Sequence, residues 1–220
     1  SSVTGVDHMA IGADRNNAVL RYLFTGLIDD VRVYDRALSA ADITELFGTG
    51  SYSLSGKVFE DIAGDALLDG AIGGANNPGV ASVAVSFYLD NGNGTPGAGD
   101  TLVVGSPVTT GADGSYTSPA VAPGNYWVAV NSKTLTSSQD PAEPVANLWA
   151  EQTYGAAGAR CSNGVGGTAT LGFAGACYGG QRGAQSDDLT SLASAEHVTG
   201  VTVAGASVTG IDFGFSFKVV

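Results

Sequence analysis

The segment from Asp90 to Asp100 carries the clearest pattern of metal-binding side chains in this sequence. It reads D-N-G-N-G-T-P-G-A-G-D, so side-chain oxygens alternate with glycines that let the chain turn sharply. Ca²⁺ is a hard cation that takes carboxylate, amide and carbonyl oxygens. We therefore predict that Asp90, Asn93 and Asp100 bind Ca²⁺ through their side chains, helped by carbonyls such as that of Thr95. The spacing is not that of an EF-hand, and the alternative is a turn with solvated carboxylates.

Two cysteines, Cys161 and Cys177, lie in a glycine-rich stretch. A redox-active pair would more often show the C-x-x-C spacing, which this chain lacks. In an extracellular protein, two cysteines favour a disulfide over a metal site. The glycine-rich residues between them have little order of their own, and closing this loop is expected to stabilise the chain by about 3 kcal/mol. We predict a structural disulfide; free thiols are the alternative.

Residues that could carry catalysis are few and scattered. The two histidines, His8 and His197, are far apart in sequence, and the H-E-x-x-H, G-x-S-x-G and P-loop motifs are all absent. Glu60 and Glu151 could form a glycosidase-like carboxylate pair, but nothing in the local sequence positions them. We therefore predict that the protein is not an enzyme and that, Ca²⁺ apart, it has no cofactor.

An exposed tryptophan could bind a glycan. The chain has two tryptophans. Trp127 lies in the most apolar predicted strand, beside Tyr126, and is interpreted as a core residue. Trp149, in the stretch Asn147–Ala150, is the candidate binding residue.

The charge of the chain excludes several function classes. It has 21 acidic and 9 basic residues, a formal net charge of −12, which argues against binding to nucleic acid or to an anionic membrane. No apolar run approaches the ~18 residues of a transmembrane helix. No segment resembles a signal peptide, so any signal is expected to have been removed or to belong to a longer precursor. An acidic, lysine-poor chain with many Gly, Thr, Val and Ala residues is typical of secreted bacterial surface proteins, which predicts an extracellular location.

The elements that position these residues fall into two segments. In Phe24–Leu46, Leu27, Val31 and Val33 alternate with Asp30, Arg32 and Tyr34, which predicts a strand. Ser39 and Asp42 then form a capping box ahead of a short helix that ends at Gly48 and Gly50. An earlier strand over Asp7–Gly12 is expected to pair with the first across a loop at Ala13–Asn17. Such a small assembly cannot bury a core alone.

The motif F-x-G-x-I-D-D-V-R-V-Y-x-R-A-L-S in this first segment resembles the closing end of a laminin-G-like, concanavalin-type jelly roll. The resemblance implies an all-β domain of about 150 residues or more, near the common domain size, of which residues 1–50 contain only the tail. We therefore predict a partial jelly-roll segment over residues 1–50, one that needs strands from elsewhere.

The second segment, residues 51–220, has short alternating strands separated by Gly, Asp, Asn and Pro turns, the pattern of an all-β sandwich. Tight turns are expected at Ala112–Gly114 and Pro123–Gly124. A long insertion at 132–197 holds the two cysteines. The predicted strands are Tyr52–Glu60, Ala84–Leu89, Thr101–Thr109, Gly114–Ser118, Asn125–Asn131, Val198–Val203 and Val208–Val219.

Four motifs of this segment together resemble a Cna B-type, or SdrD B-like, adhesin repeat. They are S-G-K-V-F-E-D from Ser55, T-G-A-D-G-S-Y from Thr110, A-P-G-N-Y-W-V from Ala122 and V-T-G-I-D-F-G-F from Val208. The resemblance implies a prealbumin-like β-sandwich. It also implies a second, weaker calcium loop at Asp61, Asp65 and Asp69, although apolar residues replace the usual polar ones between them.

The C-terminal strand suggests how copies of the chain could assemble. It is long and alternating, and a strand of this kind can add to the sheet edge of a neighbour by β-augmentation. Because head-to-tail addition does not close on itself, it builds a fibre. The predicted assembly residues are Ile211, Phe213, Phe215, Phe217 and Val219.

These observations predict a non-catalytic extracellular module: a structural subunit or stalk of a bacterial surface fibre or adhesin, whose partners are copies of itself or other surface proteins. One alternative is a glycan- or cell-binding adhesin module, and another is an accessory domain of a polysaccharide-degrading enzyme.

Overall fold

A computed structural model describes residues 14–16, 19–21, 24–26, 31–39, 42, 51–66, 68–144, 147–161, 170–177 and 189–219. The chain divides into two compact units, Ser1–Ile43 and Thr44–Val220. The predicted domain boundary at residues 50 and 51 stays a prediction.

The first unit contains a two-stranded antiparallel sheet. Strand β1, Asp14–Asn16, pairs with β2, Val19–Arg21, with Arg15 opposite Leu20. The sequence-based loop at Ala13–Asn17 is therefore wrong in part, since three of its residues form β1. Only two residues separate β1 from β2, which is the shortest common hairpin connection. The strand predicted over Asp7–Gly12 lies outside the described residues.

The capping box predicted at Ser39 is present. The Oγ of Ser39 accepts the main-chain N–H of Asp42 at 3.2 Å, and Asp42 Oδ2 accepts the N–H of Ser39 at 2.7 Å. The Arg36 guanidinium holds the same carboxylate with two hydrogen bonds, at 2.6 and 2.8 Å. Together Arg36 and Ser39 lower the pKa of Asp42 well below its usual range. By contrast, the strand predicted from the alternation of Val31 and Val33 is wrong over residues 31–34, which belong to no strand. Among the described residues, none forms a ladder with them.

Among its described residues, the second unit is built on one curled sheet of ten strands. The strands are β3 Ser55–Glu60, β4 Ala84–Leu89, β5 Thr101–Leu102, β6 Val108–Thr109, β7 Ser115–Thr117, β8 Gly124–Val130, β9 Leu148–Cys161, β10 Thr170–Ala176, β11 His197–Val203 and β12 Phe213–Val219. The order is β5-β4-β8-β11-β9-β12-β3-β7, with β6 also paired to β4 and β10 to β9. Between these strands, the pairing of β12 with β3 is parallel and the other pairings are antiparallel.

Strand β8 is buried on both faces. Tyr126, Val128 and Val130 belong to the main hydrophobic core, whereas Trp127 and Ala129 pack in a second cluster. That second cluster is completed by three residues from the end of the insertion and the start of β11: Leu192, Ala195 and Val198. The insertion thus covers the outer side of β8, and Trp127, 6 % exposed, is a core residue.

The tight turn at Ala112–Gly114 depends on its glycine. Gly114 has φ of +75°, and a Cβ added there would lie 2.2 Å from the carbonyl oxygen of Val58. Only glycine tolerates both the positive φ and this close approach of two backbones. The turn also positions Asp113, whose carboxylate accepts from the Ser115 hydroxyl and pairs with Lys57 Nζ at 3.0 Å, and these contacts lower its pKa below the usual range.

The insertion contributes two strands that the sequence pattern did not predict. Strand β9 pairs with β12 and β11, and β10 extends the sheet by pairing with β9. Cys161 and Cys177 are bonded to each other with their Cα atoms 5.0 Å apart, and both side chains are fully buried. The predicted disulfide is confirmed.

The prediction of a mostly β chain is confirmed. Among the described residues, helical structure is limited to Asp42, to Asn147 and to two short 3-10 turns, Ser132–Thr134 and Leu192–Ser194. None of the helical segments in the described part of the chain is long and apolar enough to cross a membrane.

Candidate functional site

Most of the predicted assembly residues are buried in the core of the second unit. Ile211, Phe213 and Phe215 are at most 2 % exposed and belong to the main core, and Phe217 packs against its edge. Strand β12 pairs with β9 along its whole length, through to Val219, and with β3 from Phe213 to Phe215. The aromatic side chains therefore stabilise the chain's own sheet, and the role of this strand in assembly stays a prediction.

Trp149 is a surface residue with charged neighbours. Its side chain is 49 % exposed near the start of β9. Lys133 Nζ lies 5.8 Å from the centre of the indole ring, within the range of a cation–π contact, and the indole N–H donates to Glu151 Oε2 at 3.4 Å. An aromatic surface, a carboxylate and an ammonium group thus lie together, a combination that can stack on a sugar ring and hydrogen-bond its hydroxyls.

The loop from Asp90 to Asp100 is ordered by its own side-chain oxygens. Asp100 accepts the N–H groups of Asn91 at 3.0 Å and Gly97 at 2.8 Å. Asn93 Oδ1 accepts the N–H of Thr95 at 2.8 Å. Asp90 Oδ2 accepts a long hydrogen bond of 3.3 Å from Gly94, and its Oδ1 is buried without a hydrogen-bond partner. A buried carboxylate oxygen that accepts no hydrogen bond is suited to bind a cation. This loop therefore remains a predicted Ca²⁺ site.

The weaker calcium loop has a different arrangement. Asp61 is buried, and its two oxygens accept the N–H groups of Gly64 at 2.9 Å and Ala66 at 3.1 Å. Asp65 and Asp69 are exposed. In the part of the chain that the structure describes, which includes these three aspartates, no three His, Cys, Asp or Glu side chains are grouped as metal ligands. Asp61 therefore acts as a structural carboxylate that shapes its own loop.

The residues considered for catalysis have structural contacts. Glu60 is 3 % exposed and accepts from the Ser137 hydroxyl at 2.9 Å and the Ser138 N–H at 2.6 Å. His197 is buried, with Nδ1 3.0 Å from Gln152 Oε1. Since Glu151 instead contacts the indole of Trp149, Glu60 and Glu151 have separate partners. His8 lies outside the described residues, and the absence of enzymatic activity stays a prediction.

A polar groove of about 450 Å³ lies over β3 and β7. Asp212, one of its lining residues, accepts the main-chain N–H of Lys57 at 2.8 Å, and burial raises the pKa of this carboxyl group. Tyr116, another lining residue, is buried and donates its hydroxyl to the carbonyl of Ile211. The remaining lining residues are mostly small or hydroxylated: Ser55, Gly56, Lys57, Ile72, Ser115, Thr117 and Gly210.

Sequence reasoning found Trp149 but missed the residues around it. Lys133 follows β8 in a 3-10 turn, and Glu151 is two residues further along β9. The alternation along β9 places Glu151 on the same side as Trp149 and could have indicated that contact. No local pattern indicates Lys133, because it follows β8, which is separated from β9 in the sheet by β11.

Comparison with known families gives a match at the beginning of the chain. Residues 2–44 match a model of the concanavalin A-like lectin and glucanase superfamily, Laminin_G_3. This finding confirms the laminin-G-like resemblance for about a fifth of the chain. The match does not extend to residues 51–220, where the Cna B-type resemblance stays a prediction. No curated protein matches the chain.

Proposed function

We propose that this chain is a non-catalytic extracellular structural module of a bacterial surface fibre or adhesin, which assembles head-to-tail by strand addition. The observation that carries the proposal is the exposure of large apolar side chains on both units. Phe24 and Val33 are 58 % and 66 % exposed in the first unit, and Val104 is 92 % exposed beside strand β5 of the second. Where exposed apolar side chains form a contiguous patch, that patch marks an interaction site.

The rest of the proposal concerns the fold of the second unit and its location. We assign residues 51–220 to a prealbumin-like sandwich of the Cna B type, because the four motifs of that resemblance fall in or beside β3, β7, β8 and β12. An extracellular location is supported by the buried disulfide, since such bonds persist in oxidising compartments. Its partners are then copies of itself or other surface proteins.

Assembly can be tested by sedimentation velocity over a range of concentrations, with electron microscopy of the same samples. We expect the full chain to form progressively larger species and elongated particles. Deleting residues 1–50 should abolish association. The truncated chain should keep a near-native circular dichroism spectrum, because the second unit has its own core. A monodisperse monomer at every concentration of the full chain would contradict the proposal.

We further propose that the Asp90–Asp100 loop binds Ca²⁺ through Asp90, Asn93 and Asp100. A cation held by the loop stabilises the folded state by mass action. We expect a chelator to lower the melting temperature of the wild type by a few degrees and to leave that of Asp90→Ala unchanged. Asp140→Ala, which alters an exposed carboxylate outside both predicted calcium loops, serves as the control and should keep the wild-type response. Equal melting of the wild type with and without chelator would show that the loop is only a turn.

A second candidate function is glycan binding at Trp149, favoured by the half-exposed indole with Glu151 and Lys133 beside it. Stacking of a sugar on an aromatic ring requires the ring itself, so Trp149→Ala should abolish any signal on a glycan array and Trp149→Phe should retain part of it. Leu102→Ala, which removes a different exposed apolar side chain, is the control variant. If wild type and Trp149→Ala give the same signals, this candidate is excluded.

A further inference from the structure

We infer that the polar groove over β3 and β7 binds a neutral, hydroxyl-rich ligand, namely a short saccharide, between Asp212 and the side chains of the two strands. Its volume of about 450 Å³ lies within the range of about 300–1,000 Å³ that is typical of small-molecule sites. Residues 2–44, which match the lectin and glucanase superfamily, contribute nothing to its lining, and neither does Trp149. The groove is therefore a separate site, and the proposed assembly of copies does not depend on it.

The floor of the groove is one face of the β3–β7 pair. Ser55 lies opposite Thr117, and Lys57 lies opposite Ser115. Because alternate residues of a strand point to the same side, these four side chains share one face of the sheet. Tyr116, between the two β7 residues, packs in the main core. The shared face thus presents three hydroxyl groups and one ammonium group.

Asp212 forms the wall of the groove on the side of β3 that faces β12. The chain is fixed beside β3 there: the N–H of Ile211 donates to the Ser55 carbonyl at 3.1 Å, and the N–H of Lys57 donates to Asp212 Oδ1 at 2.8 Å. The two segments lie so close that a Cβ on Gly56 would collide with the Ile211 carbonyl. The carboxylate is therefore held in position before a ligand arrives, which reduces the entropy cost of binding.

The charged groups of the groove favour a neutral ligand. Asp212 Oδ1 is used by the Lys57 N–H, so Oδ2 is left to accept from a ligand. Burial raises the pKa of this carboxyl group, since water has been removed from around its charged form, and a ligand hydroxyl can replace that water. The Lys57 ammonium group pairs with Asp113 at 3.0 Å and has further N–H donors. An anion would be repelled by Asp212 and a cation by Lys57, whereas a neutral ligand can use both groups.

The remaining side chains fit a sugar. Ser55 is half-buried and Thr117 is exposed, and both line the groove with hydroxyl groups that donate and accept hydrogen bonds. Sugar hydroxyls do the same, so one ring can hydrogen-bond to Asp212, Lys57 and these hydroxyls together. Ile72, which also lines the groove, offers an apolar surface to the C–H groups of the ring.

Saturation-transfer difference NMR on the full chain tests the site, because it observes the sugar and works on monomers and assemblies alike. The probes are trisaccharides of glucose, mannose, xylose and N-acetylglucosamine at millimolar concentrations. We expect saturable transfer to at least one of them. Asp212→Asn places an amide N–H₂ where the ligand needs an acceptor and should raise the dissociation constant at least about tenfold. Thr117→Val, which removes a hydroxyl at an exposed strand position, should raise it about threefold.

Thr109→Val, at an exposed threonine of β6 outside the groove, is the matched control and should bind as the wild type does. Circular dichroism of each variant should match the wild type, which excludes unfolding as the cause of a loss. The absence of saturable transfer to every probe overturns the inference, and so does a dissociation constant that is the same in Asp212→Asn as in the wild type. Binding that is lost in Trp149→Ala but kept in Asp212→Asn assigns the saccharide to the Trp149 surface and likewise overturns it.

Discussion

Replacing Phe215 with alanine is expected to lower the free energy of unfolding by about 3–5 kcal/mol. The Phe215 side chain is fully buried in the main core, and its ring meets the imidazole of His197 edge-on with centroids 4.9 Å apart. Alanine would remove this contact and leave a cavity at the junction of β12, β9 and β11, which the surrounding sheet can fill only in part. Urea denaturation followed by tryptophan fluorescence measures the loss, since Trp127 is buried in the same sheet.

A matched exposed residue gives the control for this prediction. Val104→Ala, at a side chain that is 92 % exposed, should change the free energy of unfolding by less than about 0.5 kcal/mol. The comparison also separates two roles for Phe215, which the sequence pattern assigned to assembly. A core role predicts that Phe215→Ala loses stability at every protein concentration. If the variant instead kept wild-type stability and lost only self-association, the core assignment would be wrong.

Several elements could be predicted from sequence because their determinants are local. The Ser39–Asp42 capping box needs only two side chains three residues apart, and it forms as expected. The turn at Gly114 needs a residue that tolerates positive φ next to a close backbone contact. The alternation of Tyr126, Val128 and Val130 with Trp127 and Ala129 is that of a strand, and the two sets pack in different clusters. For the capping box and for the positive φ of Gly114, the residues responsible lie within a few positions of one another.

Strands β9 and β10 could not be predicted because their stability comes from pairing rather than from intrinsic preference. The sequence of β9, L-W-A-E-Q-T-Y-G-A-A-G-A-R-C, is rich in alanine and glycine, which are depleted in strands. Its hydrogen bonds come from β12, β11 and β10, and β11 and β12 are distant in sequence. The small residues also serve packing, since a Cβ on Gly155 would lie 3.2 Å from each disulfide sulfur.

The candidate site was only partly visible in the sequence for the same reason. Trp149 could be identified by residue type, but the Lys133 contact depends on the arrangement of distant segments.

For the C-terminal aromatic residues, the sequence predicted the strand but did not show what its apolar face contacts. Their alternation correctly indicated a strand, but the pattern of an apolar face is the same whether that face meets the chain's own core or a partner. The parallel pairing with β3 placed Phe213 and Phe215 in the core.

Removing the disulfide should lower the free energy of unfolding by about 3 kcal/mol, because the bond restricts a loop of 16-residue separation in the unfolded chain. The Cys161→Ala/Cys177→Ala variant tests this, since alanine leaves no polar group at two fully buried positions. Both cysteines lie on the β9–β10 hairpin, where the Cys177 N–H donates to the Thr153 carbonyl at 2.7 Å. The loss should therefore appear in urea denaturation and as faster amide exchange near Thr153.

Reduction of the wild type supplies the control. A reductant that opens the bond should bring the wild-type denaturation midpoint to that of the double variant and leave the variant itself unchanged. The core contacts of Phe215 are separate from the Ala159, Cys161 and Cys177 cluster, so the losses from Phe215→Ala and from the double variant should add within about 0.5 kcal/mol. If reduction left the wild-type midpoint unchanged, the β9–β10 hairpin would be held by strand pairing alone, and the disulfide would contribute nothing to global stability.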